Sequence, residues 1–175
     1  MFSDPEKNIE ELGLMPGMHV ADIGAGSGFY SLSAAKAVGN NGKVYAIDVQ
    51  KDLLSRIKNE AQRQHIKNLE VIWGNAEEQG GTKLRESSVD AAIVANLLFQ
   101  IKNKEGLVKE IKRILKPKGR VLLVDWQDSF AGMGPQSGDV VLPDSSKELF
   151  EKGGLIFERR MGAGAQHYGF IFSKP

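Results

Sequence analysis

The chain has 175 residues, with 23 lysines and arginines against 22 aspartates and glutamates. This balance gives no general attraction for nucleic acid or for an anionic membrane. Hydrophobic residues make up 41% and charged residues 26% of the sequence, which is ordinary for a folded globular protein and argues against disorder. The lack of cysteine excludes a disulfide framework, a thiolate zinc site and a cysteine nucleophile.

The length favours one domain over residues 1–175. The N-terminal residues lack the basic-then-apolar order of a signal peptide, and no apolar run approaches the roughly 20 residues needed to span a bilayer. We therefore expect a cytoplasmic protein without a membrane segment. One local basic cluster is expected to be a solvated helix end, because cations are favoured there by the helix dipole. Its members are Lys112, Arg113, Lys116, Lys118 and Arg120.

Short β-branched runs alternate with longer helical patterns, which is typical of βαβ units around a parallel sheet. The predicted helices cover residues 5–12, 28–38, 51–64, 104–115 and 144–152, the first capped by Asp4 and the last by Asp144. The predicted strands before the C-terminal region cover residues 19–23, 43–48, 69–73, 89–95 and 120–125. Glycine-rich residues 129–141 are predicted to form a loop.

Two more strands are predicted at residues 155–160 and 167–172. The link between them is too short for a crossover helix, so they should form an antiparallel hairpin. The predicted fold class is therefore α/β. It is a Rossmann-like doubly wound sheet of seven strands, mostly parallel, with an antiparallel C-terminal hairpin and three αβα layers. In an ordinary dinucleotide-binding fold the last strand would also run parallel.

A glycine-rich loop from Asp22 to Gly28 joins the first strand to the next helix. Glycine permits positive φ and a close approach of a ligand to the backbone, and open α/β sheets bind ligands at this edge. The spacing is G-x-G-x-G, whereas dinucleotide enzymes use G-x-G-x-x-G. Asp22 would repel a pyrophosphate but suits a ligand with an ammonium and a sulfonium. Asp48 ends the second strand, where a carboxylate can accept hydrogen bonds from both ribose hydroxyls.

These segments resemble the motifs of class I S-adenosylmethionine-dependent methyltransferases, nearest to the small-molecule enzymes of ubiquinone and menaquinone biosynthesis. The similarity covers most of the chain, and the last strand, HYGFIF, also resembles that group. The matching segments are VADIGAGSGFYS at 20–31, VYAIDV at 44–49, GNAEE at 74–78, VDAAIVANLLFQI at 89–101 and LKPKGRVLLVDW at 115–126.

The resemblance implies an enzyme whose cofactor is S-adenosyl-L-methionine, and it implies no metal. Asp22 and the glycines would face the methionine part, Asp48 the ribose and Val49 the adenine. Asn75 stands where many relatives carry aspartate, and it would bind the adenine edge together with the backbone of Ala76. The full implied cofactor-binding set is Asp22, Gly24, Ala25, Gly26, Gly28, Asp48, Val49, Asn75, Ala76, Asn96 and Leu97.

The catalytic residues are less determined by sequence. The cofactor supplies the activated methyl group, so the protein mainly positions the reactants, and a general base is needed only for a protonated acceptor. The candidates are Asp125, which ends the fifth strand on the ligand side, His167 and Tyr30. Asp90 starts its strand at the opposite edge and is predicted to be structural.

Several aromatic and histidine side chains have predicted environments. Phe29 and Trp73 are expected in the core, and His65 is expected to be solvated at a helix end. One of His167 and Tyr168 should be buried, because successive residues of a strand face opposite sides.

A small molecule is the predicted acceptor, although nucleic acid and protein acceptors stay open. The absence of cysteine excludes covalent methylation at cytosine C5, and residues 96–99 lack the prolines of enzymes that methylate exocyclic base amines. The acceptor pocket is expected at Met1-Phe2, Gln100, residues 126–135 and His167.

Two alternative functions remain open. One is a regulatory subunit that binds donor or product, and the other is an NAD(P)-dependent oxidoreductase, which the glycine spacing and the hairpin disfavour.

Overall fold

The computed structural model describes residues 3–130 and 132–175. Strands and helices alternate along the described chain. The strands are β1 (His19–Ile23), β2 (Lys43–Asp48), β3 (Leu69–Trp73), β4 (Val89–Ala95), β5 (Leu115–Trp126), β6 (Ile156–Gly162) and β7 (His167–Ser173). The helices are α1 (Pro5–Leu12), α2 (Phe29–Val38), α3 (Lys51–Arg63), α4 (Lys104–Ile114) and α5 (Pro143–Lys152), with a short 3-10 turn at Leu98–Gln100.

The strands form one sheet in the order β3-β2-β1-β4-β5-β7-β6. Strands β1 to β5 run parallel, and β7 is antiparallel to both β5 and β6. The predicted fold class, including the C-terminal hairpin, is confirmed. The strand order reverses between β1 and β4, which is the point at which such sheets open a crevice for a ligand.

Apolar side chains cover the sheet on both faces. In β1, Val20 joins a core with α1 and α2 on one face, whereas the next residue, Ala21, joins a core with α4 and α5 on the other. This alternation follows from the two-residue repeat of a strand. Because the sheet has helices on both sides, its central strands are hydrophobic on both faces. A binding site must therefore lie at the ends of the strands and not on a face of the sheet.

Several element ends differ from the predictions by a few residues. β5 begins at Leu115 rather than 120, because Leu115 pairs with Val89 before the register shifts and Arg120 pairs with Ala91. Its predicted turn at Lys118 is retained inside the strand, with a φ of 65°. α5 begins at Pro143, which occupies the first helical turn, so Asp144 lies inside the helix rather than capping it.

Two aromatic residues expected in the core are exposed. Phe29 is 63% exposed because it begins α2 at the rim of a cavity. Trp73 is 59% exposed because it ends β3 at the edge of the sheet, where its indole N–H donates to the Val49 carbonyl at 3.0 Å. His167 and Tyr168 are both buried, whereas one was expected, since β7 lies between β5 and β6 and is covered on both faces.

The basic cluster at the end of α4 is largely neutralised. Arg113 pairs with Glu110 at 2.7 Å, and Lys116 pairs with Asp90 at 2.8 Å. The second carboxylate oxygen of Asp90 accepts the backbone N–H of His19 at 2.8 Å, so Asp90 ties β4 to β1 as a structural residue. The cluster therefore does not form a free cationic surface.

Glu110 is a buried anchor for the loop that follows β3. Its carboxylate accepts hydrogen bonds from the Gly80 N–H, from Thr82 and from Arg113. Burial alone would raise the pKa of Glu110, but these donors hold it at about 2. The ionised carboxylate is therefore stable in the folded protein far below neutral pH.

We expect Glu110→Gln to lower the free energy of unfolding by about 2–3 kcal/mol at pH 7, because the Arg113 charge and the loop N–H groups lose their partner. Urea denaturation measures this. The deficit should shrink as pH falls from about 5 towards 2, since the unfolded wild type takes up a proton near its ordinary value of 4.5 while the folded protein does not. Glu148→Gln, in an exposed pair with Lys152, is the control and should change stability by less than about 0.5 kcal/mol.

Candidate functional site

A cavity of about 500 Å³ opens at the carboxyl ends of β1, β2 and β4. Nine of the eleven residues predicted to bind the cofactor line this cavity. The other two, Asp22 and Gly28, do not. The nine are Gly24, Ala25, Gly26, Asp48, Val49, Asn75, Ala76, Asn96 and Leu97. Of the three catalytic candidates, Tyr30 and His167 line the cavity and Asp125 does not.

The glycine loop forms the floor of this cavity. The structural requirement for glycine differs from one position of the loop to the next. Gly26 has a φ of 55°, and a Cβ there would meet only the Gly24 carbonyl at 3.8 Å, so glycine serves the backbone turn and leaves the floor clear. Gly28 has a φ of 82°, and a Cβ there would lie 2.6 Å from Ile57 of α3. Gly28 therefore permits close packing of α2 against α3 rather than contact with a ligand.

The carboxylate of Asp48 is held by backbone N–H groups from two different loops. One carboxylate oxygen accepts the Gly26 N–H and the other accepts the Gln50 N–H, both at 2.9 Å. Each oxygen keeps a free lone pair, and Asp48 lies on the cavity wall with 8% of its surface exposed. The carboxylate can therefore accept two further hydrogen bonds from neighbouring hydroxyl groups, as the two hydroxyls of a ribose would supply.

Asp22 lies below the cavity surface. It is 2% exposed, and its carboxylate accepts the Ser31 hydroxyl at 2.5 Å. Burial, together with repulsion from Asp48, raises the pKa of Asp22 to about 7. Its direct contact with the methionine part of the cofactor stays a prediction.

The residues predicted to bind the adenine lie at the end of the cavity next to β2 and β3. Val49 presents an apolar side chain that is 57% exposed, and Ala76 lies on the facing loop. The Asn75 side-chain oxygen accepts the Glu77 N–H at 3.1 Å, and its amide nitrogen donates to Glu78 at 3.2 Å. The amide is thereby oriented, and its oxygen retains one lone pair for an amine.

The opposite end of the cavity is formed by Asn96, Gln100, Trp126 and His167. Asn96 follows β4 with a φ of 53°, a conformation that asparagine tolerates better than most residues. The Gln100 amide donates to the Asn96 carbonyl at 3.1 Å and steadies this turn. The ring centroids of Trp126 and His167 are 4.3 Å apart.

Tyr30 closes the cavity beneath the N-terminal segment. Its hydroxyl lies 2.8 Å from the Ser3 hydroxyl and accepts the Asn8 side-chain amide at 2.8 Å. Tyr30 is 8% exposed, and burial raises its pKa, so it is a neutral phenol. Its position joins α1 and α2 at the cavity wall.

Asp125 holds two walls of the cavity together from behind. It is 1% exposed, and one oxygen accepts the N–H groups of Leu97 and Leu98 while the other accepts that of Trp126. Burial raises the pKa of Asp125 to about 6. Asp125 is therefore placed to position these backbone segments, because its hydrogen bonds within the described residues all come from backbone N–H groups.

Sequence reasoning missed part of the wall. Ser3 and Pro5 line the cavity, and no local pattern connects Ser3 with Tyr30. Of the expected acceptor wall, Gln100, Trp126 and His167 line the cavity, whereas residues 127–130 and 132–135 do not. Met1-Phe2 and Ala131 lie outside the described residues.

The family assignment rests on a match over most of the chain. A family model described as a methyltransferase domain matches residues 14–154. This chain belongs to the methyltransferase domain family. The predictions of a class I methyltransferase, of an enzyme and of S-adenosylmethionine as cofactor are confirmed.

Curated relatives include demethylmenaquinone methyltransferases. That of Oceanobacillus iheyensis is 29% identical over 117 residues, which is 67% of this chain and 48% of that protein. That of Lactococcus lactis is 28% identical over 119 residues, 68% of this chain and 46% of that protein. The chain thus spans about half the length of the curated relatives it matches.

Two solved structures show how far the fold extends. A SAM-dependent methyltransferase from Aquifex aeolicus is 29% identical with a TM-score of 0.90, and the match covers 99% of this chain and 91% of that one. The cyclase SpnF is 15% identical with a TM-score of 0.84, and its match covers 98% of this chain and 79% of that one. The second likeness concerns the fold alone. No helix within residues 3–130 and 132–175 has the length and apolar character to cross a membrane.

We expect Asp48→Asn to weaken binding of S-adenosylhomocysteine about 30-fold, because a charge-assisted pair of hydrogen bonds to the ribose is lost, worth about 2 kcal/mol. Isothermal titration calorimetry measures the affinity, and thermal melting verifies that the variant is folded. Asp52→Asn, an exposed carboxylate in the first turn of α3, is the matched control. Equal loss in both variants, or none in Asp48→Asn, would remove Asp48 from the site.

Binding of S-adenosylmethionine should strengthen as pH rises from 6 to 8. The positively charged ligand favours the ionised form of Asp22, whose pKa is about 7 before binding, so binding near pH 6.5 should release up to about 0.8 proton. Calorimetry in two buffers of different ionisation enthalpy measures this release. In Asp22→Asn the release should disappear, and a release that persists there would assign it to another group.

Proposed function

We propose that this domain transfers a methyl group from S-adenosylmethionine to a small, uncharged molecule with a planar, hydroxylated ring. The observation that carries this is the charge distribution of the cavity. Among its described lining residues, Asp48 and Glu77 are the ionisable acids, and both lie towards the sugar and adenine end. The end next to β5 and β7 presents Tyr30, Gln100, Trp126 and His167, which are aromatic or neutral polar residues.

An aromatic side chain such as Trp126 favours a planar ligand. The indole can stack on the ring of the ligand over a large contact area, and it loses little side-chain conformational entropy in doing so. A charged acceptor would find no countercharge at this end and would bear a desolvation cost. The relatives named demethylmenaquinone methyltransferases support the same class of acceptor, a quinol-like ring.

The bound donor supplies an electrophilic methyl group on a sulfonium, with a neutral thioether as leaving group. The residues of this chain supply position. Asp48 holds the sugar, the glycine loop allows close approach, and Asn96 and Leu97 lie between the donor end and the acceptor end. Alignment of the two reactants in a cavity that excludes water is the main source of acceleration for such a transfer.

The experiment has two stages that separate the alternatives. Calorimetry with S-adenosylhomocysteine and with NAD distinguishes a methyltransferase site from an oxidoreductase site. Protein that binds S-adenosylhomocysteine is then incubated with labelled S-adenosylmethionine and 1,4-dihydroxynaphthalene, total tRNA or a mixture of denatured proteins.

Label in the dihydroxynaphthalene supports the proposal. Label only in RNA or protein overturns the proposed acceptor, and donor binding without transfer to any acceptor favours the regulatory subunit. A cytoplasmic location and a single domain over residues 1–175 stay predictions.

A further inference from the structure

Three buried polar atoms in the described part of the chain have no hydrogen-bond partner there, and all belong to two residues of one cavity wall. They are the side-chain oxygen of Asn96 and both ring nitrogens of His167. Buried polar atoms are almost always satisfied, since leaving one unpaired costs about 1–3 kcal/mol. Clustering of the exceptions at one end of a cavity points to a ligand group that completes them.

These residues lie on neighbouring strands at the same edge of the sheet. Asn96 follows β4, Trp126 ends β5, and His167 begins β7 directly opposite Trp126. Strands lie about 4.8 Å apart, so the backbones of Asn96 and His167 are separated by about 10 Å across the end of β5. A ligand that spans the end of β5 can therefore be contacted from both sides.

The chemistry of the pair selects a hydrogen-bond donor. His167 is 4% exposed, and burial lowers its pKa, so the imidazole is neutral and one nitrogen accepts. The Asn96 oxygen is also an acceptor. The other ring nitrogen of His167 carries the N–H and is a donor. The two acceptors suit a molecule that carries two O–H or N–H donors better than an ether, a carbonyl or an anion, which have no hydrogen to donate.

We propose that the nucleophilic O–H group of the methyl acceptor donates its hydrogen bond to His167, which takes the proton during transfer, and that Asn96 accepts a hydrogen bond from a second donor of the same molecule. This rests on the proposed function. As the acceptor oxygen bonds to the methyl carbon, the S–CH₃ bond breaks and its electron pair stays on sulfur. The hydroxyl proton passes to the free imidazole nitrogen, and the resulting imidazolium returns it to water.

Trp126 controls access to the imidazole. Its ring packs on His167, and a Cβ at Gly134 would lie 2.8 Å from the indole atoms, so the backbone at Gly134 also touches the indole. The His167 nitrogens have no solvent-exposed surface in this arrangement. The Trp126 indole must therefore move aside for an acceptor ring to reach these nitrogens.

The test uses the wild-type chain saturated with S-adenosylhomocysteine and two probes that differ in one donor, 1-naphthol and 1-methoxynaphthalene. Long-range ¹H–¹⁵N spectra resolve the three histidines, His19, His65 and His167. We expect 1-naphthol to shift the ring nitrogens of His167 and the indole N–H of Trp126 while His19 and His65 stay unchanged. It should bind about tenfold more tightly than the methoxy compound, the value of one hydrogen bond of about 1.4 kcal/mol.

In His167→Phe the two probes should bind with equal affinity, whereas His65→Asn, an exposed change at a positive φ that asparagine tolerates, should keep the preference. Thermal melting verifies folding, and the wild-type spectra decide the question if His167→Phe does not fold. Equal affinity for both probes in the wild type, or shifts confined to His19 or His65, would overturn the proposal. A wild type that fails to bind S-adenosylhomocysteine would instead overturn the proposed function.

Discussion

The site depends on the reversal of strand order between β1 and β4. The connections that leave these adjacent parallel strands run to opposite faces of the sheet, so no segment fills the space between their carboxyl ends. The glycine loop after β1 and the Asn96 turn after β4 form the two sides of the resulting crevice. The other residues of the cavity line the crevice that this arrangement leaves open.

Buried carboxylates keep the sides of the crevice in place. Asp48 accepts N–H groups from the glycine loop and from the start of α3, and Asp125 accepts N–H groups from the turn after β4 and from the end of β5. Each carboxylate thus joins loops from two neighbouring strands. Asp48 also borders the cavity, whereas Asp125 lies behind it, so of these two acids only Asp48 is exposed to a ligand in the cavity.

The antiparallel hairpin decides the character of the acceptor end. Because β7 runs opposite to β5, its first residue, His167, is brought to the edge where the other strands end. A parallel last strand would have placed its final residues there instead. The same arrangement sets the imidazole against Trp126 and away from solvent, and this burial favours its neutral form.

Local sequence determined the elements and the donor end, because strand periodicity, the glycine spacing and an acid at the end of β2 are signals within short segments. Nine of the predicted cofactor residues accordingly meet at one cavity. The exposure of Phe29 and Trp73, the enclosure of Asp125 and the meeting of Ser3 with Tyr30 were decided only by tertiary structure. These depend on which side chains and backbone N–H groups from distant segments come together, and no local pattern in the chain encodes that.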